Sequence, residues 1–520
     1  RDSGDVHLNP SKQTRWEKDH SHSFGQLPWS ASFCFGIYCS KVNECTIFMS
    51  VKNVALPNYD EEAHLLAKER EPHQPNRLGN VVESELESAQ QATHSQRTSN
   101  FATLMHLLKG NIGTGILAMP NAVSNAGLLV GTAGIPVLGV ICVHCMHLLV
   151  ISSKTLARKM GVTSLDYSST AELAFKLGPA KVQRLASFAR FCVNTMLMMT
   201  QFGFCCVYFL FVSTSIHEIF SSDQVVKNLH GSSPISAHGY MAIVLPIMIL
   251  FNFIRSLRRL SPFSSLANAL QSTGLVMVLY YLVTGPRTGH LSPYTAPLKK
   301  LPLYFGTAMY AFEGIGVVLP LENAMATPED FGGLNGVLNT GMVVVACLYT
   351  AVGFYGYLKY GDDVKPSITF NLPTGAVSEL IRLMFALAIF LSYALQLYVP
   401  ISIIWPYLKK KFNLETYSNQ KQLLMEYFLR GLLVFITFLM AIVIPNLDLL
   451  ISLVGALASS SLALIFPPII ELCTVWNTNI SPRKFKLILI KDIFIMIFGI
   501  FGSVIGTYTV LREIADTMSK

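Results

Sequence analysis

Residues 110–120 read Gly110-Asn111-Ile112-Gly113-Thr114-Gly115-Ile116-Leu117-Ala118-Met119-Pro120, and residues 312–320 read Phe312-Glu313-Gly314-Ile315-Gly316-Val317-Val318-Leu319-Pro320. In each, a Gly-x-Gly triplet precedes four or three apolar residues and then a proline. Glycine weakens a helix interior by about 1 kcal/mol and proline by about 3 kcal/mol. Both stretches lie inside long apolar segments. Hydrocarbon offers the backbone no hydrogen bonds, so irregular backbone at that depth is tolerated only where it lines a cavity or packs against protein. A matched pair of such breaks, one in each half of a chain, points to the substrate site of a secondary transporter.

The bulk composition agrees with a membrane setting. The chain has 520 residues, 51% of them hydrophobic and 13% charged, with a mean hydropathy of +0.45. A soluble globular chain carries about 25% charged residues. The net charge of +8 reports loop lysines and arginines rather than a nucleic-acid surface. The ten cysteines fall mostly in apolar segments, where a thiol behaves as a small hydrophobe. Cys142-Val143-His144-Cys145-Met146-His147 has a zinc-like spacing but sits inside an apolar helix, so neither a metal nor a cofactor is expected. No nucleophile–base pair appears either, and the chain does not read as an enzyme.

Eleven apolar spans of about 20 residues, the length needed to cross a bilayer, are predicted near 101–125, 128–150, 187–214, 237–254, 262–284, 301–323, 337–359, 376–406, 423–444, 448–472 and 487–513. The fold class is therefore an all-α polytopic membrane protein with eleven transmembrane helices. If spans 1–5 and 6–10 form two units, each begins with a broken helix. Five is odd, so the units have opposite topology, a 5+5 inverted repeat with one extra helix. Residues 1–100 are polar and read as a disordered tail. Residues 1–48 read as an alternative or non-native start, since Met49-Ser50-Val51-Lys52 would serve as an ordinary one. Residues 101–515 form the transporter domain and 516–520 a short tail. Sixteen Lys and Arg lie in loops 151–186, 255–261, 407–422 and 473–486, against eight in the opposite loops and tail. That asymmetry predicts a cytoplasmic N-terminus and an extracellular or luminal C-terminus. Glu61-Glu62-Ala63-His64-Leu65-Leu66 fits an acidic dileucine sorting pattern.

Chemistry is expected at the breaks. Unwinding the first frees the amides of Gly113, Thr114, Gly115 and Ile116 at the N-terminus of a half-helix, a site for a carboxylate. The carbonyls of Tyr310, Ala311 and Phe312 precede the second break and are expected to be free for an ammonium. An amino acid carries both charges and matches the pair. Glu313 is a carboxyl group at membrane depth beside a break, and His106 lies seven residues before Gly113. Both are candidates for proton coupling. For each, local hydrogen bonding or packing is the alternative, and it stays open. Polar residues inside other spans include Ser392, Tyr393 and Gln396, and the run Ser459-Ser460-Ser461. The run reads as helix–helix hydrogen bonding.

His106-Leu107-Leu108-Lys109-Gly110-Asn111-Ile112-Gly113-Thr114-Gly115, Gly203-Phe204-Cys205-Cys206-Val207-Tyr208, Phe312 through Asn323, Tyr393-Ala394-Leu395-Gln396 and Ile451-Ser452-Leu453-Val454-Gly455 together resemble the proton-coupled (proton-assisted) amino acid transporters of the amino acid–polyamine–organocation superfamily. The resemblance covers about residues 101–515. It implies a LeuT-like core and symport of small neutral amino acids (alanine, glycine or proline-like) with protons. It also implies that His106 matches a histidine linked to proton coupling. Residence in the plasma membrane or in lysosomes and endosomes, and a role in nutrient signalling through mTORC1, are further implications. The chain departs from many vertebrate relatives in having no cysteine in 215–236 or 360–375, where they place a disulfide. A sodium-coupled or exchange transporter of the same fold, and a low-flux amino-acid sensor, are the alternatives.

Overall fold

Helices coincide with the apolar stretches of the sequence. The structure is a computed structural model, and it describes residues 34–39, 45–50, 97–221, 235–255, 257–284, 286–287, 289, 296–444, 446–478 and 480–519. The chain divides into two compact units, Arg1–Ala89 and Gln90–Lys520. In the first unit the described residues form an antiparallel pair, β1 (Cys34–Cys39) and β2 (Cys45–Ser50). Both strands are rich in β-branched and aromatic residues, which favour extended pairing. The dileucine pattern lies outside the described residues, as does most of the expected tail and start.

The second unit is helical. The first span is two short helices, α1 (Asn100–Asn111) and α2 (Thr114–Ala126). It is followed by α3 (Leu128–Met160), the amphipathic α4 (Tyr167–Leu177), α5 (Ala186–Phe220), α6 (Ala237–Asn252) and α7 (Leu257–Val283). The second half opens with another split helix, α8 (Leu301–Ala311) and α9 (Ile315–Ala324). Then come α10 (Val337–Tyr360), α11 (Ala376–Lys411) and α12 (Asn419–Val443). α13 (Leu447–Val454) continues through two π-helical turns, Gly455–Ser459 and Ser461–Ile465, into α14 (Phe466–Val475). α15 (Pro482–Met518) is last and runs into the stretch expected to be a tail. Among the described residues nine helices are long and apolar enough to cross a membrane, and α6 is a shorter apolar one.

This order is that of a LeuT-like arrangement, with a broken helix opening each five-helix unit and α15 outside them. The two broken helices are packed on one another, α2 against α8, and α10 covers α2. α5 and α7 pack along α11, while α8 also meets α13, its first π turn and α15. Local chemistry sets the boundaries. Ser99 caps α1 by accepting from the Ala102 amide, as small hydroxyl residues do at helix starts. Gly127 at φ 84° turns the chain between α2 and α3, a left-handed geometry that favours glycine.

The approach of α8 to α13 is backbone to backbone. A Cβ on Gly306 would meet the Ser452 carbonyl oxygen at 2.4 Å, and one on Gly455 would meet the Gly306 oxygen at 1.8 Å. The Thr307 and Ser452 hydroxyls bond across the same seam at 2.9 Å. The serine run does something other than expected. Ser460 and Ser461 donate to the carbonyls of Ala456 and Leu457 in their own helix, back-bonding one turn away rather than to a neighbour.

Candidate substrate site at two broken helices

Ile112 and Gly113 separate α1 from α2, and Phe312, Glu313 and Gly314 separate α8 from α9. The two breaks meet. A Cβ on Gly115 would come within 2.7 Å of Ala311 Cα, and one on Gly314 within 2.8 Å of Asn111 Oδ1. The glycines that weaken the helices also let their backbones touch. The Thr114 and Tyr310 hydroxyls are hydrogen-bonded at 2.8 Å, tying the start of one half-helix to the end of another.

On the amide side, α2 starts at the first break. The cap of α2 is Gly113, which has no side chain to bond the first-turn amides. Thr114, Gly115 and Ile116 therefore begin a half-helix without a side-chain cap, with the positive end of its dipole directed into the break.

The carbonyl side differs from the expectation that Tyr310, Ala311 and Phe312 present free oxygens. The Glu313 amide donates to the Tyr310 oxygen at 3.4 Å and the Gly314 amide to the Phe312 oxygen at 2.8 Å. The Tyr349 hydroxyl of α10 faces the Ala311 oxygen at 2.8 Å and the Asn111 oxygen at 2.5 Å. The breaks fold back on themselves because an unpaired carbonyl at membrane depth is costly. Tyr349 has one proton for two acceptors, so it holds both unwound segments with a donor that satisfies neither fully. It was not found by sequence reasoning, because a lone tyrosine in an apolar helix carries no spacing signature.

Between the breaks lies a cavity of about 20 Å³ lined by residues that include Gly113, Thr114, Gly115, Tyr310, Ala311 and Glu313. Phe204, Tyr208 and Gln396 complete the wall from α5 and α11. Gln396 Nε2 donates to the Tyr208 hydroxyl at 3.2 Å, and the Phe204 ring lies 4.7 Å from that of Tyr310. The volume suits about one water molecule. An amino acid enters such a site only if the aromatic wall or the half-helices move.

The structure separates the two proton candidates. Glu313 is 8% exposed, lines the cavity, and its Oε2 has no hydrogen-bond partner. The Ser459 hydroxyl, in the first π turn, is its polar neighbour. His106 is exposed on α1 and does not line the cavity. Lys109, one turn on, donates to the Ser264 carbonyl of α7 at 3.2 Å. His147 Nε2 lies 2.8 Å from Asn339 Oδ1, and Cys142 and Cys145 are buried free thiols.

Beyond the site, one network joins the outer ends of α1 and α9. Thr98 pairs with Met325 as a bridge, with its amide donating to the Ala324 oxygen at 2.8 Å. Asn100 Nδ2 donates to Asp330 Oδ2 at 2.8 Å, and Thr327 also bonds that oxygen at 2.7 Å. These donors hold the Asp330 carboxyl below its usual range.

Two half-helices meeting around a backbone-lined cavity in a polytopic bundle define a secondary transporter of the broken-helix class. The chain belongs to the family described as transmembrane amino acid transporter protein, which matches residues 96–512. It is 34% identical over 428 residues to the Drosophila melanogaster "Proton-coupled amino acid transporter-like protein pathetic", covering 81% of this chain and 87% of that protein. It is 28% identical over 421 residues to the Caenorhabditis elegans "Probable amino acid transporter skat-1", covering 80% and 90%. Among solved structures, MhsT in complex with L-phenylalanine is 15% identical, with 78% of this chain and 98% of that one covered at a TM-score of 0.42. The family is one of membrane transporters, not enzymes.

Proposed function

We propose that this amino acid transporter is a proton-coupled symporter that moves small neutral amino acids toward the cytosol across the plasma or lysosomal membrane. The substrate carboxylate binds the amides of Gly113, Thr114, Gly115 and Ile116. Its ammonium approaches the carbonyls of Tyr310, Ala311 and Phe312. The Tyr349 hydroxyl yields its place on the Ala311 oxygen, and the ammonium supplies the further donors that Tyr349 lacks. Glu313 carries the coupled proton. A protonated carboxyl is neutral, so it crosses the closed state of the site at low cost, whereas an ionised one would be an unpaired charge at membrane depth. His106, exposed on the same broken helix, acts earlier on the proton path rather than at the substrate.

The observation that carries this reading is Glu313, a buried carboxyl with an unpartnered oxygen in the wall of the cavity between the breaks. The name of the fruit-fly relative supports proton coupling.

Amino-acid-evoked current tests it, recorded in acidic and neutral medium with and without sodium. The reading predicts inward current that is independent of sodium and larger in acid. The His106→Ala variant is expected to lose the acid stimulation while keeping surface expression. Current that requires sodium would sink the proton claim. Binding without current or uptake would favour a sensor.

A further inference from the structure

A second group of buried charges lies away from the substrate site, on the seam that joins α15 to the bundle. Lys491 Nζ of α15 is 2.7 Å from Glu471 Oε2 of α14 and 3.2 Å from Oδ1 of its neighbour Asp492. Lys491 is 30% exposed, Glu471 15% and Asp492 0%. His144 of α3 is a half-buried imidazole whose Nε2 has no hydrogen-bond partner among the described residues. Its titratable neighbours on α3 are His147, which is bonded to Asn339, and the buried thiols of Cys142 and Cys145.

The charges do not balance. Glu471 and Asp492 share the one Lys491 ammonium, which leaves one of the two carboxylates as the odd charge. Two carboxylates and one ammonium sum to minus one. An uncompensated charge in a fully buried position costs several kcal/mol. Apart from the Lys491 ammonium 3.2 Å from Oδ1, neither oxygen of Asp492 has a hydrogen-bond partner among the described residues. A metal ion would add positive charge beside an ammonium, so it is a poor occupant. A proton is small enough and supplies the missing charge.

We propose that Asp492 and Glu471, arranged around the Lys491 ammonium, form a second proton-binding site that holds one proton between the two carboxylates. Binding forms one O–H bond on a carboxylate and breaks one in a hydronium ion of the medium. Asp492 is ten residues into α15, about 15 Å from its start, on the side of loop 473–486. The site therefore reads pH on that face of the membrane and sets how firmly the last helix is held to α14.

The test is infrared difference spectroscopy of the full-length protein in lipid, titrated from alkaline to acidic buffer. It uses the unaltered chain, Asp492→Asn and Lys491→Gln. The unaltered chain is expected to show a protonated-carboxyl band that shifts with isotope-labelled aspartate and is missing from Asp492→Asn. In Lys491→Gln two carboxylates face each other without the ammonium, so the band is expected about one pH unit higher, a tenfold gain in proton affinity. Identical titrations of the unaltered chain and Asp492→Asn would overturn the proposal, leaving a structural ion cluster. So would a Lys491→Gln band that stays in place or moves to lower pH. If neither variant folds, isotope-labelled aspartate and glutamate in the unaltered chain decide, and a titrating band insensitive to both labels contradicts the site. None of these readings requires transport, so their failure is distinct from failure of the symport mechanism.

Discussion

Tyr349 is the residue on which the closed geometry of the site turns. Its hydroxyl is the shared donor to two carbonyls released by two different breaks. Tyr349→Phe removes it with little change of shape and leaves the Asn111 and Ala311 oxygens with one partner fewer. The expected cost is about 1–3 kcal/mol, read as a lower unfolding temperature in detergent, and restored by a saturating amino acid whose ammonium takes the same acceptors. An unchanged melting temperature, or no recovery with substrate, would remove Tyr349 from the site. Glycine roles were readable from sequence where tyrosine roles were not. Gly-x-Gly ahead of a proline marks a break by itself, whereas Tyr349 acquires meaning only when α10 lies across both breaks. His106, a proton-coupling candidate from its place on the broken helix, is exposed and lies outside the cavity wall.

At the scale of elements, both broken helices were visible because helix weakening and hydrophobicity conflict openly at Gly113–Gly115 and Gly314–Gly316. The π turns of Gly455–Ser459 and Ser461–Ile465 were not, because an ordinary α-helix and a π turn share one apolar pattern. Such turns recur at functional sites, and this one brings Ser459 to Glu313. The contact of α2 with α8 has a direct test. Gly115→Ala places a methyl against the Ala311 backbone, and the strain of such overpacking is about 1–3 kcal/mol. Substrate affinity is expected to fall together with stability. Normal uptake by Gly115→Ala would show that the half-helices need not touch. Away from the membrane, Glu172 of α4 bonds Lys176 at 2.6 Å and Arg190 at 2.9 Å. The Lys176 hydrogen bond is the largest influence on its carboxyl and, joined by the Arg190 bond, outweighs the opposing effect of burial to hold it below the usual range. A depressed carboxyl stabilises above its unfolded pKa and loses that contribution as pH falls through the folded one. Both cations are about half exposed, so Glu172→Gln is expected to cost less than about 1 kcal/mol at neutral pH. The difference from the unaltered chain should vanish below the ordinary carboxylate range, and a difference that grows in acid would contradict this.

For the whole molecule, the helical class and the order of the elements follow from apolar length and from the position of the two breaks. The charged seam under α15 did not, because Glu471 and Lys491 are twenty residues apart and meet only through packing. The cavity is far smaller than an amino acid, so transport requires the bundle to open. The central claim is that Glu313 couples a proton to that cycle. Radiolabelled amino acid uptake into proteoliposomes, driven by an imposed proton gradient and compared between the unaltered chain and Glu313→Gln, tests it most directly. Glutamine keeps the shape but binds no proton. The account predicts sodium-free accumulation by the unaltered chain, and loss of accumulation in Glu313→Gln with exchange across a pre-loaded membrane retained. Accumulation that persists in Glu313→Gln, or that the unaltered chain achieves only with sodium, would contradict it.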